Sequence, residues 1–221
     1  MKLQKKKNYA VITGDIIRSS SLTLKKREKL HKVMVEGSKQ LRKAFPQVIP
    51  LEVDIFRGDS WQLLVKNPQY ALRVALFYRA FLRARMESHE FNTRIGVAIG
   101  ELDFVPRDRV SEGQGEVYNL SGKALENLPN SVSMSFLSSS NPHKKYLNTI
   151  VQLIDSLSTR WTDKQSLAIL GALQGWTQKK IAKILWEKKI SQQAVAQHLK
   201  SSGWYAVEKG IEYFEEYIQA K

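Results

Sequence analysis

Leu51-Glu-Val-Asp-Ile-Phe-Arg-Gly-Asp-Ser-Trp-Gln-Leu-Leu-Val65 alternates apolar and polar residues before Gly58-Asp59 and returns as a second, largely apolar run from Trp61 to Val65. Alternation with period two sends successive side chains to opposite faces of a strand. Gly-Asp is turn chemistry, so the stretch reads as a β-hairpin. Working upstream, Leu22, Leu30, Val33, Met34, Leu41 and Phe45 recur at helical spacing until Pro46 stops them. Before that helix, Tyr9 to Ile17 is a short apolar strand. Downstream, Ala71, Val74, Ala75, Tyr78, Phe81 and Leu82 mark one face of a helix over Pro68 to Glu90, and Thr93 to Ile99 is a strand ended by Gly100. A Gly-rich loop (Val110 to Val117), a short helix (Asn119 to Leu128) and an edge strand through Val132, Met134 and Phe136 follow. The order β-α-β-β-α-β-α-β predicts an α+β fold: a ferredoxin-like antiparallel sheet with helices on one face.

Ser131 to Lys145 ends in a Ser/Asn/Pro breaker, and everything after Tyr146 reads as helix. Two domains are expected, 1–145 and 146–221, which suits a chain of 221 residues. Hydrophobic residues at 43% and charged residues at 25% exclude wholesale disorder. The absence of cysteine excludes disulfides and thiolate metal sites, and the four scattered histidines argue against a histidine cluster. No apolar run approaches membrane-spanning length and the start of the chain is no secretory signal, so a cytoplasmic, membrane-free protein is expected. The net charge is +14, concentrated as +11 over residues 1–145 and as +6 within Arg160 to Lys200. That excess favours polyanionic partners, nucleic acid or nucleotides, over a merely basic surface.

Asp15 closes the first strand and Asp59 sits in the hairpin turn. In a β-α-β-β sheet these strand ends are neighbours, and two such carboxylates suit Mg2+, which leaves room for substrate phosphates. The competing reading is two ordinary turn aspartates. The loop Glu112-Gly-Gln-Gly-Glu116 offers backbone N–H groups to a phosphate or is simply a hairpin loop.

Ile12-Thr-Gly-Asp-Ile16 and Phe56-Arg-Gly-Asp-Ser60 resemble the two metal-aspartate segments of class III nucleotide cyclases. Arg94-Ile-Gly-Val-Ala-Ile-Gly100 resembles the strand after their long helix. Asn119 and Lys123 fall where those enzymes carry an asparagine and, four residues on, an arginine that steady the transition state. Ser111 to Lys123 resembles the SatD family, a bacterial group with this cyclase-like core. The resemblance spans about Asn8 to Ser138. It implies a nucleoside triphosphate and Mg2+ as ligands, Asp15 and Asp59 as metal ligands, Arg57 and Arg94 as nucleotide-binding residues, and a site built across a homodimer. Two positions depart from the pattern. Ile55 stands where cyclases select the base with lysine, and Lys123 keeps the charge of the arginine without its bidentate geometry. Weak or no cyclase turnover is therefore expected.

Thr177-Gln-Lys-Lys-Ile-Ala-Lys-Ile-Leu185, with a third helix opening at Ser191, resembles the helix-turn-helix of bacterial regulators and sigma factors. Its turn is about three residues longer than the compact motif. Lys179, Lys180, Lys183, Lys188, Lys189 and Lys200 are candidates for phosphate contacts, and Gln192, Gln193 and Gln197 for base edges. The leading expectation is a DNA-binding transcription regulator with a degenerate cyclase-like sensor. The alternative is a Mg-dependent nucleotidyl cyclase or transferase whose helical tail dimerises it. The aromatic, acidic segment Gly203 to Ile218 is expected to pack on the first domain or on a second subunit.

Overall fold

A computed structural model of the chain describes residues 7–87, 91–104, 107–139, 141, 143–186 and 190–220. Five strands form one sheet: β1 (Asn8–Ile16), β2 (Asp54–Phe56), β3 (Ser60–Val65), β4 (Thr93–Glu101) and β5 (Met134–Ser138), in the order β2-β3-β1-β4-β5. β1 is central, which explains its Tyr-Ala-Val-Ile run. Ala10 and Ile12 are buried in the core on one face, and Tyr9 and Val11 in the cluster on the other. The expected hairpin is present, with Phe56 opposite Ser60 around Arg57 and Gly58, both at positive φ (54° and 80°).

Helices α1 (Leu24–Ala44) and α2 (Ala71–Met86) cover one face. Thr23 caps α1 by accepting from the Lys26 N–H, and Leu30, Val33, Met34 and Leu41 form its buried stripe. Gly37 belongs to that stripe because a Cβ there would lie 2.9 Å from the rings of Tyr78 and Phe81. The spacing of α2 suggests one apolar face, yet α2 is buried almost all round, Leu72, Leu76, Phe77, Arg79 and Arg83 included. A helix apolar on every side needs partners on every side, and the C-terminal helices supply the second one.

Two expectations about the sheet are corrected. β5 runs parallel to β4, so the sheet is mixed rather than antiparallel. The helix between them, α3 (Glu116–Glu126), lies on the face opposite α1 and α2, so helices cover both faces. The crossovers β3-α2-β4 and β4-α3-β5 step the same way between parallel strands. With their helices on opposite faces they differ in hand, although one hand dominates such connections. Two local features permit this. The chain between β4 and α3 is long, and the Phe104–Gln114 bridge pins it. Gly96 then admits the α3 backbone: a Cβ there would sit 2.4 Å from the Ser121 carbonyl oxygen. Val117 and Ala124 close over Val11, Leu64 and Ala98, which would otherwise face water.

The C-terminal helices are α4 (Lys144–Ser158), α5 (Asp163–Leu173), α6 (Gln178–Ile184), α7 (Gln192–Ser201) and α8 (Trp204–Gln219). Their apolar residues join those of α1, α2 and the sheet in one continuous core. α5 lies along α2, and α4 covers β5, whose Phe136 N–H donates to the Asn148 side chain. The aromatic segment packs as expected: Phe214 of α8 meets Phe136 edge-on, at 5.2 Å between ring centroids.

Three arginines of α2 bind this half. Arg79, 1% exposed, donates to Asp155 (2.6 Å), to Ser158 and to the Thr93 and Ser133 carbonyls. Arg83 donates to the carbonyls of Thr159 and Trp161, both at 2.6 Å. Arg73 forks onto Glu215 and also reaches the Leu173 carbonyl. Burial and then the charge of Arg79 push the Arg83 guanidinium down to about 10.

Candidate functional site

The end of the sheet where β1 stops collects the expected residues. Asp15 stands opposite Ser60 on one side and Arg94 on the other. The Ile16 N–H donates to the Asp59 carbonyl at 3.1 Å, so the two aspartate positions are adjacent across the β1–β3 ladder. Their carboxylates are engaged differently. Asp15 is held by Arg94, which donates through Nε to Oδ1 (2.9 Å) and through a terminal nitrogen to Oδ2. That contact raises the Arg94 guanidinium further above its ordinary value. Asp59 accepts from the Ser19 hydroxyl and, at 3.3 Å, from Ser60.

Two cavities open here. One, of about 440 Å³, has Asp15, Arg94, Arg18, Asn92 and Ser133 in its wall and is closed by the segment after α3. The other, of about 660 Å³, lies against α1 and is walled by Asp59, Arg57, Ser19, Arg27, His31 and Lys32. Among the described residues no group of three or more His, Asp or Glu side chains is placed to hold a metal ion. As arranged, the two carboxylates line different cavities and Arg94 occupies both oxygens of Asp15.

Asn119 and Lys123 are both exposed on α3 and line neither cavity. They lie one turn apart, on the side opposite the buried Val117, Ser121 and Ala124. Ile55 is half-buried and packs against the main core. In the Gly-rich loop, the Gly113 and Gln114 N–H groups donate to the carbonyls of Val110 and Phe104. Those two donors are spent inside the loop, which favours the plain-loop reading over the phosphate cradle. The loop is also tied to β2. Asp54 accepts from Arg109 (2.8 Å), from the Ser111 N–H (3.1 Å) and from the Ser111 hydroxyl. Burial pushes its carboxyl up, but these hydrogen bonds outweigh burial and hold it below the usual aspartate value.

In the C-terminal half the expected caps are present: Thr177 accepts from the Lys180 N–H and Ser191 from the Ala194 N–H. Val195 and Leu199 are buried, while Gln193, Gln197 and Lys200 form an exposed stripe on α7. Lys179, Lys180 and Lys183 are exposed on α6, with Lys180 lying over the Trp176 ring at 4.2 Å. Gln192 donates to the Gln178 side chain at 3.3 Å, linking the starts of α6 and α7. Lys188 and Lys189, also expected to contact phosphates, lie outside the described residues.

No protein-family model matches the chain. No curated protein matches it either. Among solved structures it is similar to a bacterial light-regulated adenylyl cyclase, at 14% identity over 58% of this chain and 74% of that one, with a TM-score of 0.43. It is also similar to the guanylyl cyclase Cya2, at 14% over 61% and 75%, with a TM-score of 0.41. A third is the adenylyl cyclase CyaB from P. aeruginosa, at 15% over 64% and 81%, with a TM-score of 0.39. At that level the likeness assigns no role to any residue.

Sequence reasoning missed Arg18, Ser19, Arg27 and Asn92 at the sheet end. Their signal was faint: Arg18-Ser-Ser-Ser21 follows the first strand directly, where a turn is due. Arg27 stiffens that turn by donating to the Ser20 and Leu22 carbonyls. Among the described residues no helix is long and apolar enough to cross a membrane.

Proposed function

We propose that the sheet half, residues 1–145, is a ferredoxin-like, cyclase-like unit of the SatD kind that binds a nucleoside triphosphate with Mg2+ and turns it over weakly or not at all. The observation that carries this reading is the Arg94–Asp15 fork beside the Arg57–Asp59 turn. An arginine that grips a carboxylate bidentately grips a phosphate with the same geometry. On binding, Arg94 and Arg57 would take phosphate oxygens, and Asp15, once released, would share the cation with Asp59. The cation would neutralise phosphate charge. Ile55 is used in the core and cannot read a base edge, which supports weak turnover. Asn119 and Lys123 face outward, where a second copy of the chain could use them, so a homodimer belongs to this reading.

A melting experiment tests it. ATP or GTP with Mn2+ should raise Tm through mass action, and Asp59→Ala should remove the rise. An unchanged Tm in the wild type, or an equal rise in Asp59→Ala, overturns it. Robust cyclic-nucleotide production lost in Asp15→Ala would overturn the weak-turnover part.

A second reading concerns residues 146–221. The exposed Gln193, Gln197 and Lys200 on a Ser191-capped helix, beside the lysines of α6, favour DNA contact and hence a transcription regulator. A mobility shift with the full chain on duplex DNA at low salt tests it. Lys183→Ala should weaken binding to every sequence, and Gln193→Ala only at a preferred site. No shift by the wild type sinks the DNA reading and leaves the nucleotide reading standing.

A further inference from the structure

A cavity of about 440 Å³ lies where α1 and α2 meet α5 and α6, well apart in the chain from Asp15 and Asp59. Its apolar wall is Phe77 and Phe81 of α2, Leu167 and Leu170 of α5, and Trp176 and Leu185 beside α6. Its polar lining is Gln40, Lys43, Arg85 and Gln174, and among the described residues no acidic side chain lines it. Arg85 lies 5.6 Å from the Phe81 ring centroid, and Lys180 lies over the Trp176 ring at 4.2 Å. Arg85 meets Glu36 at 3.7 Å, with both side chains about half exposed, a loose contact that an anion can displace. The size is that of a small-molecule site, and the lining has its usual composition: aromatic walls with a few charged groups at one side.

We propose that this cavity binds a small amphipathic anion, an aromatic or otherwise apolar body bearing one carboxylate, sulfonate or phosphate. The body would lie between Phe77, Phe81 and Trp176. The anionic group would meet Lys43 and Arg85, the two cations in the cavity's lining, displacing Glu36 from Arg85. The same charges repel cationic ligands, and a neutral ligand gains nothing from them. Part of the wall, Trp176 to Leu185, also carries Lys179, Lys180 and Lys183, so an occupant bears directly on the segment that presents those lysines.

Anilinonaphthalene sulfonate, an aromatic anion whose fluorescence rises in apolar surroundings, is a suitable probe for the full-length chain. One saturable site is expected. The neutral anilinonaphthalene, which lacks the sulfonate, should bind at least about tenfold more weakly. The double reversal Lys43→Glu with Arg85→Glu should raise the Kd for the sulfonate about tenfold or more and leave that for the neutral compound nearly unchanged. Ala44→Trp, which fills the cavity, should abolish binding of both while circular dichroism stays native. Equal affinity for the charged and neutral probes overturns the proposal. So does wild-type affinity in the charge-reversed chain, or the absence of saturable binding. Should Ala44→Trp not fold, the charge reversal decides alone. None of these outcomes bears on nucleotide binding at the sheet end.

Discussion

Two of the arginine–aspartate pairs share their chemistry and differ in character. Arg79 and Asp155 are 1% and 4% exposed in their side chains, whereas Arg94 and Asp15 are 46% and 21% exposed. Around the first pair, Ser133 donates to Asp155 through both its N–H (2.7 Å) and its hydroxyl (2.9 Å), and Ser158, Thr93 and Ser133 accept from Arg79. Ser133 borders the cavity at the sheet end, but neither Arg79 nor Asp155 lines it, and the work of this pair is to hold α2, β4 and α4 together. The second pair lines a cavity beside solvent, and either partner can exchange the other for a ligand. A buried pair is stabilising relative to losing one partner, because a lone charge cannot be rehydrated. An exposed pair is screened and contributes little to stability, which leaves it free for binding.

The sharpest way to break this comparison is Asp155→Ala. It strands Arg79 in the core and should cost about 3–5 kcal/mol in urea denaturation. Arg79→Met combined with Asp155→Leu should lose less than Asp155→Ala alone, since both charges leave together. A larger loss in the double variant would mean that the neighbouring serines, not the charge, dominate the network.

Next in size is Arg73→Met, which breaks the fork onto Glu215 and frees the Leu173 carbonyl. With both side chains under a fifth exposed, a loss of about 1.5–3 kcal/mol is expected by the same measurement.

Asp54→Asn comes third, at about 1 kcal/mol near neutral pH. The folded Asp54 carboxyl lies below its unfolded value, so the unfolded chain binds more protons in that window. Its stabilisation is therefore present above the ordinary aspartate pKa of about 4 and lost as pH falls through the depressed folded value. Asp54→Asn should remove that part of the acid sensitivity. Identical stability–pH curves for the two proteins would show that the loop does not depend on this carboxylate.

The smallest effect on stability is expected from Arg94→Gln, under about 0.5 kcal/mol once its exposure is allowed for. Its effect should appear instead as a lost Tm rise with nucleotide and Mn2+. A destabilisation matching Asp155→Ala would erase the distinction between the two pairs.

Much of the sheet end was legible before the structure. Asp15 closes a strand and Asp59 sits in a turn, and a β-α-β-β order can bring those two positions together, whereas Arg57 and Arg94 were legible only through the resemblance to nucleotide cyclases. What was not legible is how they pair: nothing local says that Arg94 grips Asp15 while Asp59 turns to Ser19. The α2 arginines were hidden for a related reason. In a helix read for one apolar face, Arg79 and Arg83 look like the solvent side. They are buried because a second layer of helices covers that side.

The sequence by itself determined the order of the elements and how they begin and end. Thr23, Thr162, Thr177 and Ser191 each cap a helix by accepting from an N–H three residues on, and Gly58 sits at φ 80° in the hairpin turn. These are interactions between near neighbours in the chain, so a short window of residues suffices to specify them. Only the tertiary structure decided the face on which α3 lies, the direction of β5, and which arginine is buried. Each depends on groups far apart in sequence, as Arg79 and Asp155 are. Such contacts form only after the competing ways of covering the sheet have been settled by packing, which no local pattern records.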